Sequence, residues 1–218
     1  MLELRNITYE VDDNNENKEI LKNVSVTIDD HFVAITGPNG GGKSTLAKMI
    51  AGIIRPTSGQ ILLDGEDITG LNITERARKG ISFAFQQPVH FKGLTVKDLI
   101  TIAAGKEMSV NEICDILSEV GLCAREYIDR EINGSLSGGE LKRIEIAMIT
   151  ARGTKLSIFD EPEAGIDLWS FSMLIEQFEK IHKEKKESLV LISHQERIIQ
   201  MADRIMVIED GKIASIGA

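Results

Sequence analysis

The stretch FVAITGPNGGGKSTLAKMIAG, Phe32 to Gly52, decides the fold. Phe32 to Thr36 is an unbroken apolar run of strand length, and Leu46 to Ile54 reads as a helix closed by Arg55-Pro56. Between them stands GPNGGGKST. A strand, a glycine loop and a helix in this order aim successive backbone N–H groups and the helix's positive end at phosphate oxygens, and the glycines let the backbone come close. The candidate triphosphate-binding residues are Gly37, Pro38, Asn39, Gly40, Gly41, Gly42, Lys43, Ser44 and Thr45. Lys43 is expected to reach the β- and γ-phosphates, and Ser44 to ligate magnesium. A plain glycine-rich turn would leave the flanking strand and helix without a purpose.

Working outward, four more stretches carry chemistry: FAFQQP at Phe83 to Pro88, LSGGE at Leu136 to Glu140, LSIFDEPEAGID at Leu156 to Asp167, and LISH ending at His194. Ser137, Gly138 and Gly139 precede a helical pattern with Leu141, Ile144, Met148 and Ala151 on one face, so they read as a second anion-binding helix start. A second phosphate reader makes sense if it serves the nucleotide on another copy of the chain, closing a head-to-tail dimer over two ATP molecules. The other reading is a serine-capped helix with Glu140 as the acidic partner of the cap. Leu156 to Phe159 and Leu189 to Ile192 are short apolar runs followed by polar residues, as where parallel strands end at a ligand cleft. Asp160 is expected to hold magnesium through its hydration shell, and Glu161 to deprotonate the attacking water. Two merely structural carboxylates would more naturally lie on a charged helix. A lone histidine after a strand is usually a core residue; the functional reading has His194 touch the γ-phosphate and hold the water of Glu161.

In this order the five stretches resemble the ATP-binding cassette (ABC) ATPases, from about Leu2 to Gly217. The resemblance implies an α/β fold: a RecA-like P-loop core, an N-terminal antiparallel β subdomain and a helical subdomain, all within one domain over residues 1–218. The core with its β subdomain would take 1–88 and 136–218, and the helical subdomain 89–135. It also implies a magnesium-dependent ATPase active only as a closed homodimer. Glu161, His194, Gln86 and Lys43 would be catalytic, Ser44, Gln86 and Asp160 would serve the metal, and Asp167 would cross the dimer interface. Gln87 is the alternative to Gln86, which has the family's spacing of two before Pro88. Where the family commonly stacks adenine on an aromatic residue this chain has Val11, with Tyr9 nearby and read as packing; base preference is therefore expected to be weak.

FAFQQPVHFKGLTV, ISHQERII and the glycine of EAGID resemble the SufC branch of that family, the ATPases of iron-sulfur cluster assembly. That implies a SufB/SufD-type scaffold as partner, docked near Val89, Phe91 and Leu94; the alternative is a membrane transporter's nucleotide-binding subunit. Pro162-Glu163 departs from the branch's usual Ser-Asp, and the chain is shorter than usual for it at the C-terminus.

Composition sets the limits. A chain of 218 residues, 42% of them hydrophobic, can bury a substantial core. A net charge of -9 argues against non-specific nucleic-acid binding, since phosphate backbones demand clustered Lys and Arg. No apolar run approaches the roughly 20 residues of a membrane span, and the start MLELRNITYE has no secretory pattern, so a cytoplasmic location is expected. Cys114 and Cys123 form no CxxC pair and are expected to be inert. Strand-like alternation around an Asp-Asn turn at 12–17, a hairpin turning at Asp64-Gly65, and mostly helical structure over 89–135 complete the expectations.

Overall fold

Leu2, Leu4 and Ile7 face Val24, Val26 and Ile28 across two long antiparallel strands, β1 (Leu2–Asp13) and β2 (Glu16–Ile28). The computed structural model describes the chain except residues 14–15, 87–90, 134, 185–186 and 218. Pairing continues through Asp12 with Asn17 and Asp13 with Glu16, so the expected turn is narrower than 12–17. Polar side chains on an exposed ribbon do not stop the backbone ladder. The chain continues through β3 (Phe32–Thr36), α1 (Lys43–Ile50), β4 (Ser58–Leu63) and β5 (Glu66–Asp67). Asp64 and Gly65 join β4 to β5 with φ of 52° and 81°, the doubly positive geometry of a tight hairpin turn. The order β2-β1-β4-β5 makes one antiparallel sheet.

There follow α2 (Ile73–Arg78), β6 (Ile81–Ala84), α3 (Val96–Ala104), α4 (Val110–Glu119), α5 (Ala124–Tyr127), α6 (Gly138–Arg152), β7 (Leu156–Asp160), α7 (Leu168–Glu184), β8 (Ser188–Ile192), α8 (Glu196–Met201), β9 (Arg204–Glu209) and β10 (Lys212–Gly217). The second sheet runs β10-β9-β3-β8-β7-β6, parallel except for β10. Its central strands are apolar on both faces, as strands sandwiched between helices must be. Phe32, Phe159, Leu189 and Leu191 face the helical core of α3, α4, α6 and α7. Val33, Ile35, Ile158, Val190 and Ile192 face the other core, shared with α1 and the antiparallel sheet. Therefore α1 lies on one face of the sheet, and α6 and α7 on the other.

The first helix begins earlier than Leu46 and ends before Ile54. Gly42, at φ 105°, turns the chain directly into α1. At the far end the buried Arg76 donates to the carbonyls of Met49 (2.6 Å) and Ile50 (2.9 Å), closing the helix at its negative pole. Burial, with Arg55 adding repulsion, pushes its guanidinium pKa down to about 10. The segment expected to be mostly helical is broken into α3, α4 and α5, each of the first two opened by a capping box, Thr95 with Asp98 and Ser109 with Glu112. Among the described residues no helix is long and apolar enough to cross a membrane.

Candidate active site

Parallel pairing aligns the C-terminal ends of four strands along one edge. Ile35 pairs with Ile192, Ile192 with Asp160, and Phe159 with Ala84. The residues that follow each strand therefore meet: Gly37 to Lys43 after β3, Glu161 after β7, Ser193-His194 after β8, and Phe85-Gln86 after β6.

The loop after β3 wraps tightly. A Cβ on Gly37 would stand 2.1 Å from the carbonyl oxygen of Ile208, and φ there is +129°, so only glycine fits between β3 and β9. Lys43 is nearly buried and donates to the carbonyls of Gly37 (2.7 Å) and Pro38 (2.9 Å), which leaves the third of its ammonium donors for an anion in the loop. The Ser44 hydroxyl donates to Asp160 Oδ1 at 2.9 Å. This is a pair of hard oxygen donors at the mouth of an anion loop, which suits magnesium. Burial raises the pKa of Asp160, against the opposing hydrogen bond from Ser44 and the charge of Lys48; a bound divalent cation would act in the same sense as those two and favour the carboxylate.

Glu161, Gln86 and His194 come together. Gln86 Nε2 donates to Glu161 Oε2 at 2.6 Å, and His194 Nε2 lies 3.7 Å from Glu161 Oε1. His194 is exposed, which removes the reading as a core histidine. Glu161 has φ of 47°, a region that costs a side-chain-bearing residue about 1–3 kcal/mol, and its N–H is held by the carbonyl of Ile192 at 3.0 Å. Two residues given no role by the motifs support this cluster. Ser193, fully buried, donates through Oγ to Glu163 and accepts from the N–H of Gln195, tying the histidine loop to the segment after Glu161. Gln87 lies outside the described residues.

At the signature stretch both readings have a footing. Ser137 Oγ accepts from the N–H of Glu140 (3.3 Å), and the Glu140 carboxylate accepts from the N–H of Ser137 (2.6 Å), so the capping box exists. A hydroxyl that accepts still has a proton to donate outward. Burial disfavours the Glu140 carboxylate, but hydrogen bonds from Tyr127 and Ser137 and the nearby Arg130 outweigh it and lower its pKa. Gly139 is packed so closely that a Cβ would fall 2.3 Å from Ser170 Oγ, and Gly138 faces the carbonyl of Gly165. The start of α6 thus abuts the turn into α7. The helix is buried on more than the one expected face: Lys142 and Arg143 are buried too, each satisfied by hydrogen bonds. The Asp167 carboxylate accepts from the N–H groups of Trp169 and Ser170, so it caps α7 within its own chain.

Lys142 also explains how the strand end carrying Gln86 is held. Its ammonium donates to the Phe85 carbonyl (2.7 Å) and to Glu145 (2.8 Å), while the Phe85 N–H donates to Glu145 (3.2 Å). Tyr9 packs against the core whereas Val11 is exposed, and a register shift after Tyr9 breaks the simple alternation that would place them on one face. Cys114 and Cys123 are free thiols.

Known proteins resemble this chain in sequence and fold. The sequence profile of the family described as "ABC transporter" matches residues 21–164. An uncharacterized ABC transporter ATP-binding protein of Methanocaldococcus jannaschii, MJ0035, is 42% identical, with 92% of this chain and 84% of that protein covered. The energy-coupling factor transporter ATP-binding protein EcfA2 of Caldanaerobacter subterraneus is 35% identical, over 90% of this chain and 71% of that one. Among solved structures, a dimeric post-hydrolysis state of the ATP-binding cassette MJ0796, bound to ADP and Pi, superposes with a TM-score of 0.88 at 27% identity, covering 100% of this chain and 98% of the other. With its P-loop, its α/β core and its antiparallel sheet, the chain belongs to the ABC ATPase family and is a magnesium-dependent ATPase.

Proposed function

We propose that two copies of the chain close head to tail over two ATP molecules, and that hydrolysis moves a partner protein docked beside Gln86. The observation that carries this is the meeting of Gln86, Glu161 and His194 at the mouth of the Gly37–Thr45 loop. Loop N–H groups and Lys43 hold the phosphates; Glu161 takes the proton of the attacking water; His194 and Gln86 fix the carboxylate and that water. Ser44, Asp160 and Gln86 are the residues that would hold magnesium, which when bound would offset phosphate charge.

Layering supports the trans arrangement. The Gly37–Thr45 loop opens α1 on one face of the sheet, while Ser137, Gly138 and Gly139 open α6 on the other. Each packed layer adds about 10 Å, which sets the two helix starts of one chain too far apart for a single triphosphate to bridge and favours the start of α6 serving the nucleotide of a second copy.

The partner's seat is an apolar groove of about 260 Å³ bordered by Phe83, Phe85, Phe91, Leu99, Ile144 and Met148. It adjoins Gln86 through Phe85, and Phe85 is clamped by Lys142 and Glu145 on the helix whose start carries Ser137. A protein in the groove would thus contact both the strand end that leads to Gln86 and the helix that Ser137 opens. We take residues 89–135 as the lobe that swings with it. Leu94 packs inward while Phe91 is half-exposed, so Phe91 is the anchor on offer; Val89 lies outside the described residues.

The relatives named as transporter ATP-binding proteins favour a membrane transporter as partner, with this chain on the cytoplasmic side. A second reading keeps the SufC-like assignment and a soluble SufB/SufD-type scaffold. Gly165 favours it, since this glycine of EAGID stands at φ 74° and is used as a glycine. Phe91→Asp is expected to abolish partner capture and partner-stimulated hydrolysis while leaving nucleotide binding intact. Pull-down with the parental chain separates the readings: capture from detergent-solubilised membranes supports the transporter, and capture from membrane-free extract the scaffold. Capture undiminished by Phe91→Asp removes the groove from the account.

Base preference gives a further expectation. The exposed aliphatic Val11 offers no stacking plane worth roughly 1–3 kcal/mol, a value taken from base stacking in nucleic-acid complexes. ATP and GTP should bind within about tenfold of each other, 1.4 kcal/mol being a factor of ten. Competition titration checks this, and an ATP preference above about a hundredfold contradicts it.

A further inference from the structure

Leu168 and Trp169 are the most exposed large apolar residues described, at 81% and 65%. They stand side by side at the start of α7, and their exposure is held in place. Asp167 accepts from the Trp169 N–H (3.0 Å) and the Ser170 N–H (2.9 Å), fixing the first turn. The Trp169 ring lies 5.6 Å from the Arg143 guanidinium, which is anchored on the carbonyls of Gly139 and Gly121. Gly139 in turn presses on Ser170, and Gly138 on Gly165. The helix starts that carry Ser137, Gly138 and Gly139 on one side and Leu168 and Trp169 on the other are therefore packed directly against each other.

We propose that Leu168 and Trp169 are an apolar anchor of the ATP-bound homodimer, covered by a second copy of this chain. The inference rests on the trans reading above. If α6 presents Ser137 to the phosphate of another copy, that copy must come down on these two helix starts and cover their apolar residues. The groove for a different protein lies on another side of α6, where Lys142 and Glu145 reach Phe85, so the two surfaces do not compete. Two-fold symmetry uses the patch twice, and each tryptophan brings 150–250 Å² of contact area, which suits a central contact of an interface that opens and closes with ATP.

The chain's single tryptophan makes the test direct, because all indole fluorescence comes from Trp169. In a Glu161→Gln background, ATP with magnesium should shift the emission to the blue and protect it from acrylamide, in step with dimer formation measured by sedimentation. Trp169→Ser should weaken that dimer by about thirtyfold or more, the scale of an interface hot spot, while monomer ATP binding is unchanged; Trp169→Phe should restore most of it. A dimer that forms at parental affinity with Trp169 still fully quenched overturns the anchor and leaves the trans reading standing. If no ATP-dependent dimer forms even with Trp169 intact, the trans reading itself falls, and the anchor with it.

Discussion

Replacing Glu161 with glutamine should lower ATP hydrolysis by about 10²- to 10⁴-fold, the range of a lost general base, while ATP should still bind and hold two copies together. The isosteric amide can keep the contact to Gln86, now at 2.6 Å, and fits the same backbone at φ 47°, so the change removes proton acceptance and little else. Without turnover, the closed dimer persists as long as ATP does. Steady-state phosphate release and sedimentation in ATP read the two effects separately. Hydrolysis at the parental rate with partner present would take the role of base away from Glu161.

The core of the fold was legible in the sequence because a few residues have few alternatives. Gly37 cannot carry a side chain against Ile208, and the runs at Phe32 and Leu189, and with the exception of Ser157 that at Leu156, are apolar on both faces, as a buried parallel strand requires. The hairpin at Asp64-Gly65 was equally plain, since that pair suits a doubly positive turn. Boundaries were less visible. The start of α1 depends on the φ of Gly42 and its end on Arg76, a residue distant in sequence. The breaks in the segment expected to be mostly helical follow from capping boxes at Thr95 and Ser109 that were present to be read as T-x-x-D and S-x-x-E.

Within the site, the motifs named the residues that meet but not those that hold them. Glu163 reaches Ser193 across two strand ends, and Lys142 and Glu145 reach Phe85 from another element altogether. Such partners are set by strand order and helix packing, and no local spacing marks them. Resemblance alone puts Asp167 at the dimer interface; what no motif marks is that its carboxylate also caps α7 and so fixes the exposed apolar pair just after it. Burial raises the pKa of Glu145 against the attraction of Lys142, again a consequence of tertiary position that composition does not reveal.

Catalysis in trans is the central claim, and mixing two inactive variants tests it most directly. Lys43→Ala removes the ammonium above the phosphate loop, and Ser137→Arg puts bulk and charge where the second copy's phosphate should be read. Either change alone leaves no complete site in a dimer of identical chains. Ser137→Arg also removes a cap worth about 1 kcal/mol, so loss of activity in that variant alone would not separate a damaged helix from a blocked site. The mixture does separate them. In a mixed dimer the loop of the Ser137→Arg chain faces the intact Ser137 of the Lys43→Ala chain, giving one complete composite site. The account predicts negligible hydrolysis from each variant alone, and recovery on equimolar mixing to at most about a quarter of the parental rate, as random pairing of a two-fold dimer allows. Activity of the mixture no greater than the average of the two pure variants, or parental hydrolysis by monomeric Ser137→Arg protein, would contradict it.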